Sequence, residues 1–242
     1  MVKSIFTVRH GEGQHQINPD IWKTASNREV ALTPLGEQQA QEGGQFLKDF
    51  PLDPQKTVII TSPLGRASQT AEIIRQSLPG ANLMIEPLLE DQDFGTFTGL
   101  TTEQCYEKHP ILARLYDLHA RRYGKYHVRP PRGETKEELV QRIEKFVKKA
   151  SAWFENSEYD NMVIVSHSLI NQAVSKILND QPPEWFLNLQ PLPNCSVKKY
   201  IWANSVWIDK GIVFAPERQG TNLVLACPDH LKGKIRNEGH SR

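Results

Sequence analysis

Arg9, His10, Arg66 and His167 are the residues of this chain best placed for chemistry on an anion, because each stands where an apolar run gives out. Val2 to Val8 is apolar and β-branched enough for a buried strand, and it stops abruptly at Arg9-His10-Gly11-Glu12-Gly13. Asn161 to Val165 repeats the pattern and ends in Ser166-His167-Ser168. Thr57 to Thr61 ends in Ser62-Pro63, with Arg66 near the start of a following helix. In an open α/β sheet, ligands bind beyond the carboxyl ends of the strands. Arginine forks, imidazoles and glycines that let the backbone approach closely suit an anion there. Taken singly, each motif is also explained as a strand end with solvated polar groups, His167 as a satisfied core histidine, and Arg66 as a surface arginine. Their joint occurrence at three strand ends is not, and the three converge if the strands are neighbours in one parallel sheet.

Arg9-His10-Gly11-Glu12, then Ser62-Pro63-Leu64-x-Arg66-Ala67-x-x-Thr70-Ala71, then Val165-Ser166-His167 resemble, in order and spacing, the histidine phosphatase (phosphoglycerate mutase-like) superfamily, from about Ile5 to about Val197. The resemblance implies a three-layer α/β/α sandwich with a mostly parallel central sheet. It also implies metal-independent hydrolysis of a small phosphorylated metabolite, without a cofactor. His10 would attack phosphorus through one ring nitrogen while a backbone carbonyl holds the other. Arg9 and Arg66 would fork onto phosphate oxygens, and a cationic His167 would share the charge. Gly11, Glu12, Gln16 and Ser168 complete the expected phosphate-side group. Gln16 stands where one subset of the family has an asparagine on the phosphate. Ser168 stands where the family more often has glycine, and Glu12 could orient the loop. His15 reads as a loop-packing residue.

The proton donor is a departure. Relatives carry Leu-x-Glu-x-x-Phe-Gly, with the glutamate as donor, whereas this chain reads Leu88-Leu89-Glu90-Asp91-Gln92-Asp93-Phe94-Gly95. Anchoring on Phe94 and Gly95 puts Asp91 at the donor position, protonated when substrate enters, with Glu90 as the alternative one residue earlier. The bland explanation is a solvated acidic cluster. Residues 121–134, rich in Arg, Lys and Pro, read as an exposed loop or as a lid over the mouth, with Arg121, Arg122 and Arg132 as candidates to reach a substrate. Two other functions compete with hydrolysis. One is phosphoglycerate mutase-type transfer, disfavoured because the mutase signatures around both histidines are absent. The other is a non-catalytic binder of phosphorylated ligands or protein, favoured by Asp91, Gln16 and Ser168 but not by the retained Arg9-His10 and His167.

The elements that must position these residues alternate in kind. Thr33-Pro34 starts a helix that runs to about Phe50, with Thr33 as N-cap and Pro34 at the first helical position. Helices follow at about 65–78, on either side of Pro110, at 135–154 on an apolar face from Leu139 to Phe154, and at about 169–178. The 242 residues read as one domain, with a lid-like insertion near 101–134 and extra edge strands near 200–227, including Leu223 to Ala226. With 29 Lys+Arg against 28 Asp+Glu there is no global pull toward nucleic acid or membrane. Cys105, Cys195 and Cys227 lack disulfide or metal spacing and point to a reducing, cytoplasmic setting. Monomer and homodimer are both compatible with the chain.

Overall fold

The computed structural model describes residues 3–187, 189–203 and 206–220. In chain order these form β1 (Ser4–Arg9), α1 (Gln14–Ile17), α2 (Pro34–Asp49), β2 (Thr57–Thr61), α3 (Gly65–Ser77), β3 (Asn82–Ile85), α4 (Thr102–Lys108), α5 (Pro110–Tyr123), α6 (Lys136–Glu155), β4 (Asn161–Ser166), α7 (Ser168–Leu178), α8 (Pro183–Leu187), β5 (Val197–Ala203) and β6 (Val206–Phe214). The sheet order is β3-β2-β4-β1-β5-β6. The first four strands are mutually parallel, and β5 and β6 add antiparallel to the β1 edge. The expected strand at Leu223 to Ala226, and Cys227, lie outside the described residues.

Strand periodicity produces the layers. Side chains alternate across a sheet. Val58, Ile60, Met162 and Ile164 therefore pack with Leu139, Ile143 and Phe146 of α6 and Ile170 and Val174 of α7. Phe6, Val8, Ile59, Val163 and Val165 face the other way, onto Leu47 of α2 and Ala71 and Ile74 of α3. Both faces of the central strands are covered, which is why β2 and β4 are apolar on successive residues, Val58 to Ile60 and Met162 to Val165, rather than on every second one. The result is the expected three-layer α/β/α sandwich. Pro110 does separate two helices, α4 and α5. They close a small separate core of Phe97, Cys105 and Ala113, while α5 leaves Ile111, Leu115 and Leu118 exposed. Among the described residues no helix is long and apolar enough to cross a membrane.

The loop after β1 is held against the first turn of α2. Thr33 Oγ1 accepts from the Gly36 amide at 3.0 Å, capping the helix, and donates to the Glu12 carboxylate at 2.8 Å. The backbones then approach so closely that a Cβ on Gly11 would lie 2.3 Å from the Gly36 carbonyl oxygen. One on Gly36 would lie 2.1 Å from that of Glu12. Gly36→Ala is therefore expected to cost about 1–3 kcal/mol of stability, the usual penalty for overpacking. It should also lower kcat by displacing residues 11–12. Denaturant melts and kinetics on the variant check this, and a variant of normal stability and turnover would contradict it.

Candidate active site

Register sets the site. Arg9 pairs with Ser166 and Thr61 with Val165, so the ends of β1, β4 and β2 lie level. Hydrogen bonds carry the alignment one residue further: His10 N donates to Ser166 O at 2.9 Å, and Ser62 N to Val165 O at 3.1 Å. His10, Ser62 and His167 thus leave the sheet side by side. α7 starts directly after His167 with no side-chain cap, so the positive end of its dipole opens at the same level.

The tautomer of His10 is determined by its neighbour. Nδ1 lies 2.6 Å from the Gly11 carbonyl oxygen, which can only accept, so Nδ1 carries the proton and Nε2 a lone pair. Arg66 Nε donates to that Nε2 at 3.3 Å. The same guanidinium donates to Asn27 Oδ1 at 2.8 Å and to Asp91 Oδ2 at 3.3 Å. His167 is held through Nε2, 3.0 Å from Ser62 Oγ. Ser62 Oγ also accepts from the Leu64 amide at 3.3 Å. The His167 Nδ1 lies 3.6 Å from Asp91 Oδ2, too far for a hydrogen bond, and the two imidazole centroids are 5.1 Å apart. Arg9 donates to the Leu192 carbonyl and leaves its Nε without a partner.

Electrostatics follow from burial. Desolvation first, then the neighbouring charges, Arg66 foremost, hold the His10 imidazolium pKa well below its ordinary value. Burial takes His167 down to about 3 against the opposing pull of Asp91, and Arg9 down to about 10. Burial alone would raise the Asp91 carboxyl, but the Arg66 guanidinium and the Gln92 amide, with an imidazolium at His167 whenever that ring is protonated, outweigh it and hold it below the usual aspartate value. With no dianion in the cage, desolvation and fixed cations therefore favour the neutral form of His167 and the ionised form of Asp91; the expected cationic His167 and protonated Asp91 belong to the site with a dianion bound.

The histidines therefore make the empty protein acid-labile. His10 and His167 are uncharged when folded but titrate near pH 6.5 when unfolded. As pH falls below that value the unfolded chain binds more protons, and stability declines toward His167's folded value of about 3. Each group contributes a slope of about 1.4 kcal/mol per pH unit. A dianion in the cage stabilises the protonated imidazole, so saturating inorganic phosphate should flatten the fall in Tm between pH 7 and 5. Equal falls with and without phosphate would contradict this.

The other residues singled out by sequence occupy varied places. Gln16 exchanges amide hydrogen bonds with Asn194 at 3.2 Å and accepts from the Gly13 amide at 3.0 Å, so it braces the loop. Glu12 is buried and held by Thr33, and Gly11 N donates to Thr70 Oγ1 at 3.0 Å. Ser168 Oγ accepts from the Leu192 amide at 2.9 Å. Glu90 pairs with Arg28 at 2.8 Å on the surface, away from the imidazoles. Arg121, Arg122 and Arg132 are exposed, and none of them lines the cleft beside the cluster. That cleft, about 120 Å³, has Arg66 and Asp91 on one side and Trp22, Phe94, Phe97 and Leu100 around it.

Sequence reasoning missed several partners. Asn194 Nδ2 donates to the His10 carbonyl at 2.9 Å, and Gln219 Oε1 accepts from the Asn194 amide at 2.9 Å. Gln39 bridges the Glu12 amide and the Arg218 carbonyl. The Pro193-Asn194-Cys195-Ser196 stretch was a visible signal for Asn194. Nothing in the local pattern marked Asn27, Trp22, Gln39 or Gln219. Among the described residues no group of three or more His, Cys, Asp or Glu is arranged to hold a metal ion.

The family model for the histidine phosphatase superfamily (branch 1) matches residues 5–210. The chain belongs to that superfamily, and it is an enzyme of the histidine phosphatase type. It is 28% identical over 204 residues to "Uncharacterized phosphatase PhoE" of Bacillus subtilis, covering 84% of this chain and 91% of that protein. It is 30% identical over 234 residues to "Probable phosphoglycerate mutase GpmB" of Erwinia tasmaniensis, covering 94% and 98%. The crystal structure of the alpha-ribazole phosphatase from Shigella flexneri shares the fold, with a TM-score of 0.70 at 22% identity over 86% of this chain and 95% of that one.

Proposed function

We propose that this protein hydrolyses a small phosphomonoester through a phosphohistidine on His10. The observation that carries the reading is the fixed tautomer: with Nδ1–H committed to the Gly11 carbonyl, the Nε2 lone pair is aimed into the cationic cluster. Beside it Arg9 Nε, a buried donor with no partner among the described residues, fits an anion, because buried donors without partners are costly.

Arg9, Arg66 and the α7 N-terminus neutralise the non-bridging oxygens, and His167 takes up a proton as the dianion enters. His10 Nε2 forms the bond to phosphorus while the ester oxygen leaves. Asp91 passes that oxygen a proton. The added negative charge of the phosphate raises the proton affinity of Asp91, which is how a group ionised in the empty site becomes a donor. Water then attacks phospho-His10, gives a proton to Asp91, and the P–N bond breaks to free imidazole and inorganic phosphate. Gln16, Asn194, Glu12 and Ser168 position the loops, and residues 101–134 form the mouth of the site within a single domain.

A phosphoglycerate mutase reading draws on the name of the 30% identical relative. Incubation with a phosphomonoester, an alkaline quench and mass spectrometry of the His10 peptide test the proposal. Phosphate release with a phosphorylated His10 supports hydrolysis, and interconversion of phosphoglycerates without net release favours the mutase. Turnover with the phosphoryl group on another residue would overturn the nucleophile.

A further inference from the structure

After β6 the chain returns to the loop that carries His10, and residues 216–220 reach it by two relays. The loop depends on outside support, because Gly11 has no side chain to restrain it. One amide side chain holds each of its two peptide planes. The His10–Gly11 plane presents the His10 carbonyl, which accepts from Asn194 Nδ2 at 2.9 Å. The Gly11–Glu12 plane presents the Glu12 amide, which donates to Gln39 Oε1 at 2.8 Å. Because a peptide unit is planar, that second bond also orients the Gly11 carbonyl, the group that receives His10 Nδ1–H.

Each holder is itself held from the C-terminal side. Gln219 closes on the Asn194 backbone, accepting from its amide at 2.9 Å and donating to its carbonyl at 3.4 Å. The Arg218 carbonyl accepts from Gln39 Nε2 at 3.0 Å. Gly220 sits so near the loop that a Cβ there would lie 1.3 Å from Glu12 Oε2. The turn next to Gln219 is strained: Cys195 has φ of +50°, a region that residues other than glycine rarely adopt, while its amide donates to the Arg9 carbonyl at 3.1 Å. Strain of this kind persists only where neighbours over-determine the backbone.

We propose that residues 216–220 are a positioning strap for the nucleophile: through Gln219 on Asn194 and Arg218 on Gln39 they hold the two peptide planes around Gly11, and with them the ring of His10. For its effect on turnover the inference rests on the hydrolase reading above. Gln219 is an exposed residue, so Gln219→Ala opens no cavity and should fold with little change in Tm. It should lower kcat about tenfold and leave KM within about twofold, because small displacements of a reacting group cost rate without weakening binding. Gly220→Ala should act in the same direction by displacing Glu12. Glu217→Ala, exposed in the same segment and outside both relays, should match the wild type.

Two readouts on the full chain test the strap. One is steady-state release of phosphate from para-nitrophenyl phosphate. The other is long-range proton–nitrogen NMR of protein carrying isotope-labelled histidine, with the His10 ring assigned from His10→Ala and no substrate present. The wild type should show a single tautomer protonated at Nδ1, and Gln219→Ala or Gly220→Ala a mixture of the two neutral forms together with the fall in kcat. A change that only loosened the fold would not redistribute that proton. Wild-type kcat in both variants, or a lowered kcat with unchanged His10 ring signals, would overturn the strap and leave the phosphatase standing. Absence of His10-dependent release from the wild type would remove the hydrolase reading instead, while the ring signals would still report whether the strap holds His10.

Discussion

His10→Ala should reduce kcat by about 10⁴-fold or more on any phosphomonoester, since removing an attacking group eliminates the covalent route rather than weakening it. On the rate scale that is more than about 5 kcal/mol of barrier. Binding is a separate matter. Arg9, Arg66 and His167 remain, so the dissociation constant for inorganic phosphate should change by no more than about tenfold. His10 is almost fully buried, but its ring bonds only to Gly11 and Arg66, so the fold should survive its truncation. Calorimetric titration with phosphate beside steady-state kinetics separates the two effects. Residual activity above about a hundredth of wild type would show that another nucleophile operates.

Asp91→Asn should show the opposite split. Loss of a general acid costs about 10²–10⁴-fold in kcat on an alkyl phosphate, where the departing alkoxide needs a proton. With para-nitrophenyl phosphate, whose leaving group is stable as an anion, the loss should be less than about tenfold. Phosphate binding should tighten rather than weaken, because the substitution removes a carboxylate from beside the incoming dianion. Glu90→Gln serves as the comparison. Its pair with Arg28 is on the surface, where such pairs are worth about 0–1 kcal/mol, so activity should stay within about twofold. Damage from Glu90→Gln equal to that from Asp91→Asn would move the donor assignment by one residue.

The choice between those two carboxylates illustrates the reach of local pattern. Counting back from Phe94 and Gly95 picked Asp91, and the extended backbone at Glu90 (φ −57°, ψ 149°) turns successive side chains to opposite sides. Glu90 therefore faces Arg28 and Asp91 faces the imidazoles. Charge state was beyond such counting. Position does not show that burial lowers the His167 pKa to about 3 in the empty site, against the pull of Asp91. Position marked Gln16 as a phosphate-side residue, and the folded chain adds its exchange of amide hydrogen bonds with Asn194, which no local pattern shows.

Apolar runs closed by Arg9-His10, Ser62 and Ser166-His167 marked three strand ends, because strand burial and strand termination are written in consecutive residues, while the sheet class came from the resemblance that those motifs carry. The register that levels β1, β2 and β4, and the bracing by Asn27, Asn194, Gln39 and Gln219, required the folded chain. Gln39 comes from α2, and the others come from loops with no periodicity and from up to 184 residues away; hydrogen bonds across such separations leave no mark on neighbouring sequence. Arginines that look available along the chain turn out to hold carboxylates once side chains pack, and only that pairing determines which charges a substrate meets.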